Sequence, residues 1–134
     1  MNSVGRVIQT YIYENRNPDK KRVGDCVIRA ISKVMDMSWD DVAVDLSMMM
    51  VAEKDIVSSN ALWGKYLELN GFRRGSLPDT CPSCFTIEDF CRMYPQGIYV
   101  VCTGSHVVAV IDGNYYDTFD SGQETATYYF ERVR

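Results

Sequence analysis

Apolar and polar residues alternate over 5–14, GRVIQTYIYE, with Val7, Gln9, Tyr11 and Tyr13 against Ile8, Thr10 and Ile12. That period of two predicts a strand. A polar stretch with Pro18 and Gly24, NRNPDKKRVGD, then reads as a loop. From Cys26 the apolar positions become Val27, Ile28, Ile31, Val34 and Met35, with Arg29 and Lys33 on the other side. This is the spacing of an amphipathic helix. Ser38 caps a second helix with Asp41 at the capping-box position and Val42, Leu46 and Met49 as its apolar face. SSNALWGKYLELNGF predicts a third, capped by Ser58 or Ser59 and stopped at Asn70-Gly71.

Further on, Arg73 and Arg74 in GFRRG read as a solvated turn, with contact to a substrate carboxylate as the alternative. PDTCPSCF is a loop, and TIEDFCRMYP a short helix with Thr86 as cap, Asp89 in the box and Pro95 beyond its end. Three strands follow: IYVVCT, HVVAVI and YYDTFD. Asp112-Gly113-Asn114 joins the last two as a hairpin, and ATYYFERV closes the sheet. Helices first and antiparallel strands last make the class α+β.

At 134 residues, the chain is expected to form one domain, 1–134. The net charge of −4, with Lys and Arg scattered, argues against a nucleic-acid partner. No apolar run approaches the ~20 residues that span a bilayer, and MNSVGRVIQTY carries no apolar export segment. The expectation is therefore a cytoplasmic protein without a membrane partner. Five cysteines, an odd number with no export signal, are expected to be free thiols.

Free thiols raise the question of chemistry. Cys26 in RVGDCVIRAIS stands where the loop becomes a helix. Unpaired N–H groups and the macrodipole favour negative charge there. With an imidazolium nearby, such settings lower a thiol pKa from about 8.5 to roughly 3.5–7.5. The chain has one histidine, His106, which opens the HVVAVI strand after a Gly-Ser turn. Across the hairpin come Asp117 and Asp120, either of which could orient the imidazole. A two-residue turn pairs His106 with Phe119 and puts Asp117 on its face; a three-residue loop pairs it with Asp120.

GDC opening a helix, then GSHVVAV and DGNYYDTFDSG, resemble the papain-like cysteine peptidase superfamily, above all its compact bacterial and phage members such as bacteriocin-processing peptidases. The resemblance implies a papain-like fold, with N-terminal helices packed on a C-terminal antiparallel sheet. It further implies cleavage of a peptide or isopeptide bond in a protein or peptide substrate, without a cofactor or metal. Cys26 would be the nucleophile, His106 the general base and acid, and Asp120 the orienting residue. The chain departs from the pattern before the nucleophile. Val23, Asp25 and Val27 replace the signature residues of the plant and lysosomal enzymes, and Lys20 stands where many relatives carry an oxyanion-hole glutamine. Asn15 and Asn17 are the nearest amides. This departure leaves a non-catalytic binding module on the same scaffold as the rival reading.

Other residues read more plainly. Cys81 and Cys84 form a CPSC pair that Cys91 and Cys102 could complete as a zinc site, but a structural site needs four ligands and a reduced surface loop is the simpler state. Met48, Met49 and Met50 divide between core and surface, and Trp63 and Tyr66 are core residues. Tyr115, Tyr116, Tyr128 and Tyr129 suit half-exposed strands.

Overall fold

The capping residues mark where helices begin. In the computed structural model, which describes residues 10–134, Ser38 Oγ accepts the Asp41 N–H at 3.0 Å and opens a helix at Trp39. Thr86 and Asp89 exchange both capping-box hydrogen bonds ahead of Ile87. The element order is β1 (Tyr11–Tyr13), α1 (Cys26–Met35), α2 (Trp39–Glu53), α3 (Asn60–Leu69), β2 (Phe72–Ser76), α4 (Ile87–Met93), β3 (Ile98–Cys102), β4 (Val107–Ile111), β5 (Asn114–Asp117) and β6 (Tyr128–Arg132). The predicted first strand survives as Tyr11–Tyr13, and its positions 5–9 lie outside the described residues.

The class is α+β, with six strands in the order β1-β5-β4-β3-β6-β2. Two sequence expectations are corrected here. The sheet is mixed, because β1 runs parallel to β5 with Tyr13 opposite Asp117. GFRRG is not a solvated turn: after Gly71 its residues enter edge strand β2, with Arg73 opposite Glu131 and Arg74 opposite Phe130 on β6. An edge strand needs few apolar residues, so its pattern carries little signal.

Alternation along the central strands divides the core between two sheet faces. Val100, Cys102, Val107 and Ala109 join Ile31, Leu46, Trp63 and Leu67 from α1–α3. Tyr99, Val101, Val108 and Val110 join Ile87 and Phe90 from α4. Helix α1 thereby rests on β4, and its first residue reaches the strand end at which His106 stands.

Cys81 and Cys84 are joined by a disulfide, which corrects the expectation of five free thiols. The loop folds on itself: the Cys81 N–H donates to Asp79 Oδ1 and the Thr80 hydroxyl to the Ser83 carbonyl, bringing the two Cα atoms to 4.1 Å. Cys26, Cys91 and Cys102 remain free. Among the described residues no helix is long and apolar enough to cross a membrane.

Candidate active site

The β4–β5 hairpin decides which aspartate meets the histidine. Ile111 pairs with Asn114, so the turn is the two-residue Asp112-Gly113. Both residues take positive φ, 49° and 79°, the backbone that a tight hairpin of matching twist requires. Continued past the end of the ladder, that register sets His106 against Phe119, and their rings lie 5.0 Å apart. Asp117 falls on the same face, with Oδ2 2.6 Å from His106 Nε2. Asp120 instead accepts hydrogen bonds from the Tyr115 hydroxyl and the Gly122 N–H. The expectation for Asp120 is therefore corrected: Asp117 faces the imidazole, because the turn is one residue shorter than a pairing with Asp120 demands.

Cys26 is the first residue of α1, behind Asp25 at the cap position. Its thiol shares a cleft with His106 and Val107, close enough for the imidazole and the Val107 backbone to favour the thiolate. Since Nε2 is taken by Asp117, Nδ1 is the ring nitrogen left for the sulfur. Burial alone would raise the Cys26 pKa, but the bonds to His106 and Val107 and the charges of His106 and Arg29 outweigh it and hold it below the ordinary value. Burial would likewise lower the His106 pKa, yet hydrogen bonds to Asp117 and Cys26 push it up to about 9. The other free thiols have no imidazole beside them, and burial outweighs what lowering they get, from Arg92 at Cys91 and from Tyr128 and Arg74 at Cys102, pushing each up to about 12. Of the three free thiols, only Cys26 is held below its ordinary pKa.

Asp117 is itself held from several sides. Ser121 Oγ donates to Oδ2 at 2.7 Å, the Thr118 N–H donates to Oδ1 at 2.8 Å, and Arg29 Nη1 stands 3.2 Å from Oδ1. Arg29 Nε in turn donates to Asp25 Oδ1 at 2.8 Å. Trp39 Nε1 and Asn17 Nδ2 donate to the other Asp25 oxygen. Charged groups of alternating sign thus run from Asp25 through Arg29 and Asp117 to His106 and the thiol. Sequence periodicity had set Arg29 on the polar side of α1, but its side chain is only 12% exposed. The available signal was Asp25 four residues before Arg29, an i,i+4 ion pair on one helix face.

The thiol and imidazole open on a cleft of about 340 Å³, walled by Gly24, Ser58, Asn60, Trp63, Gly104 and Tyr128. The Cys26 N–H belongs to the first helical turn, whose N–H groups lack intrahelical acceptors and favour an anion. The upstream amides are committed elsewhere. Asn15 Nδ2 donates to the Lys21 carbonyl, Asn17 Nδ2 to Asp25, and Lys20 Nζ to the Asn15 carbonyl. They brace the loop that presents Cys26. Sequence reading thus placed Cys26 and His106 at this cleft, missed Arg29, and ranked the two aspartates in the wrong order. Comparison with known proteins finds no matching family model, no matching curated protein and no matching solved structure.

Proposed function

We propose that this chain is a thiol-dependent hydrolase of a peptide or isopeptide bond, with Cys26 as nucleophile, His106 as general base and acid, and Asp117 as the positioning residue. The observation that carries the reading is that Cys26 and His106 wall one cleft, with the buried carboxylate of Asp117 2.6 Å from Nε2. A cysteine opening a helix and a histidine just ahead of a strand, on one cleft, also support a papain-like arrangement.

In the proposed reaction the Cys26 thiolate attacks the substrate carbonyl carbon, and the carbonyl electron pair moves to oxygen. The Cys26 N–H meets that oxyanion. As the tetrahedral adduct collapses, the C–N bond breaks and the proton on His106 passes to the departing amine. This leaves a thioester on Cys26 and neutral His106. His106 then takes a proton from water, whose oxygen attacks the thioester. The acid departs, and the thiolate–imidazolium pair is restored. Asp117 keeps Nε2 protonated and stabilises the imidazolium throughout.

The test is cleavage of a proteome-derived peptide library by the full chain, with acid quenching and intact-mass measurement. Wild type is expected to yield new termini and an acyl adduct on Cys26, and Cys26→Ala and His106→Ala to yield neither. Equal cleavage by Cys26→Ala would sink the proposal. The commitment of Asn15 and Asn17 to the loop favours a second reading, a binding module of the same architecture. That module would show no acyl adduct with any peptide.

A further inference from the structure

The cleft at Cys26 does not end at Asn60 and Tyr128. Those two residues also wall a neighbouring cleft of about 320 Å³, lined further by Lys65, Glu68 and Arg74. One groove therefore runs from the thiol, past Tyr128, towards edge strand β2. Strand parity explains which arginine reaches it. Arg74 shares a face with Phe72, opposite Phe130, and both aromatics belong to the core under α1–α3. Arg73 points to the other face and pairs with Glu131 at 3.3 Å.

Charge in this second cleft is unevenly matched. Lys65 Nζ is 3.0 Å from Glu53 Oε2 and so has a counter-ion. Glu68 contributes the one carboxylate among the lining residues. The guanidinium carbon of Arg74 lies over the Tyr128 ring, 4.3 Å from its centroid, and no carboxylate of the described residues lies within 4.0 Å of the guanidinium. The contact with the ring places the forked head group, and its N–H groups have no hydrogen-bond acceptor among the described residues. A fork of this kind matches a carboxylate through two parallel hydrogen bonds. In a chain of net charge −4 this is a local departure from the overall sign.

We infer that Arg74 is a specificity-determining residue of the proposed hydrolase, binding a carboxylate on the substrate a few residues from the scissile amide. The inference rests on the Cys26 cleft being the substrate site. The carboxylate is either a Glu or Asp side chain or the free C-terminus of a peptide, since both present the same two oxygens.

The test reads covalent capture rather than turnover. Short peptides bearing an iodoacetyl group at either end, with one to three intervening residues, place the reactive carbon at the thiol. The Cys26 thiolate displaces iodide and forms a thioether. Peptides ending in Glu or Gln, and as free acid or amide, are compared by mass spectrometry at Cys26. Each rate is divided by that of iodoacetamide with the same protein. A Glu or free-acid member is expected to react about tenfold faster than its neutral counterpart, as befits a charge-assisted pair. Arg74→Gln should remove that preference, and Arg74→Glu should transfer it to Lys-bearing peptides. Whether the Glu side chain or the free acid gains identifies the source of the carboxylate. Selective labelling of Cys26 by iodoacetamide with no acidic preference, or a preference that persists in Arg74→Gln, overturns the inference and leaves the hydrolase reading standing. Absence of selective Cys26 labelling overturns the hydrolase reading itself.

Discussion

Arg29 Nη1 lies 3.2 Å from Asp117 Oδ1, so the carboxylate that faces the imidazole is held from behind by a cation on the thiol's own helix. The same guanidinium binds Asp25, and the three side chains are 12%, 1% and 5% exposed. Removing the shared cation leaves the buried Asp25 carboxylate without a counter-ion and Asp117 with His106 alone, and breaking such a buried pair costs about 3–5 kcal/mol. Arg29→Met is expected to lose stability on that scale in urea unfolding, with Arg29→Lys intermediate. A loss within the ~1 kcal/mol of an exposed ion pair would contradict the network's role.

His106 is the chain's only histidine, so its ring resonances can be followed without ambiguity. Its pKa of about 9 depends on two partners that favour the protonated ring. Asp117→Asn removes a negative charge from beside the imidazolium, so the proton is held less tightly and the midpoint moves down towards 6.5. Asp120→Asn should leave it in place, because Asp120 binds Tyr115 and Gly122 instead. An NMR titration of both variants separates the two aspartates. A larger downward shift in Asp120→Asn would reverse the assignment.

How much of this was legible in the sequence depended on range. Ser38 and Thr86 announced their helices because caps act within one turn. Cys26 and His106 were found because a helix entrance and a strand entrance are local features. Asp117 over Asp120 was not decidable from spacing, since one residue of turn length moves every later side chain to the other face. The parallel β1–β5 pairing joins residues about a hundred positions apart in sequence and leaves no local mark. Strand β2 was hidden by its arginines, which suit an exposed edge as well as a turn. Arg29 looked solvated because helical periodicity does not show that a second carboxylate arrives from β5.

Asp120 has structural work of its own. Its carboxylate ties the Tyr115 hydroxyl to the Gly122 N–H, packing the 118–122 turn that carries Ser121 to Asp117. A Cβ on Gly122 would overlap the Tyr115 hydroxyl and press on Glu88 Cγ at 2.9 Å. Tyr115 is fully buried and cannot swing away. Gly122→Ala is thus expected to cost roughly 1–3 kcal/mol, as overpacking does. An unchanged denaturation midpoint would show that the turn yields freely.

The proposed chemistry predicts a bell-shaped dependence of kcat/KM on pH. The thiolate is lost as pH falls through the depressed Cys26 pKa, below the ordinary thiol value. The imidazolium that protonates the leaving amine is lost as pH rises through about 9. Activity should hold between those limits. Asp117→Asn should draw in the alkaline limb, because it lowers the His106 pKa. A profile that climbs steadily beyond pH 9 would mean that His106 does not act as the acid.

The most direct measurement is the rate of iodoacetamide labelling at each free cysteine across pH, resolved by mass spectrometry. Cys26 should be labelled selectively at a pH below that at which an ordinary thiol reacts, while Cys91 and Cys102, each pushed up to about 12, stay unmodified. His106→Ala should abolish that reactivity and return Cys26 to ordinary thiol behaviour. Slow labelling of Cys26 that rises only near the pH of an ordinary thiol, unchanged by His106→Ala, would contradict the claim that the two residues form a reactive pair.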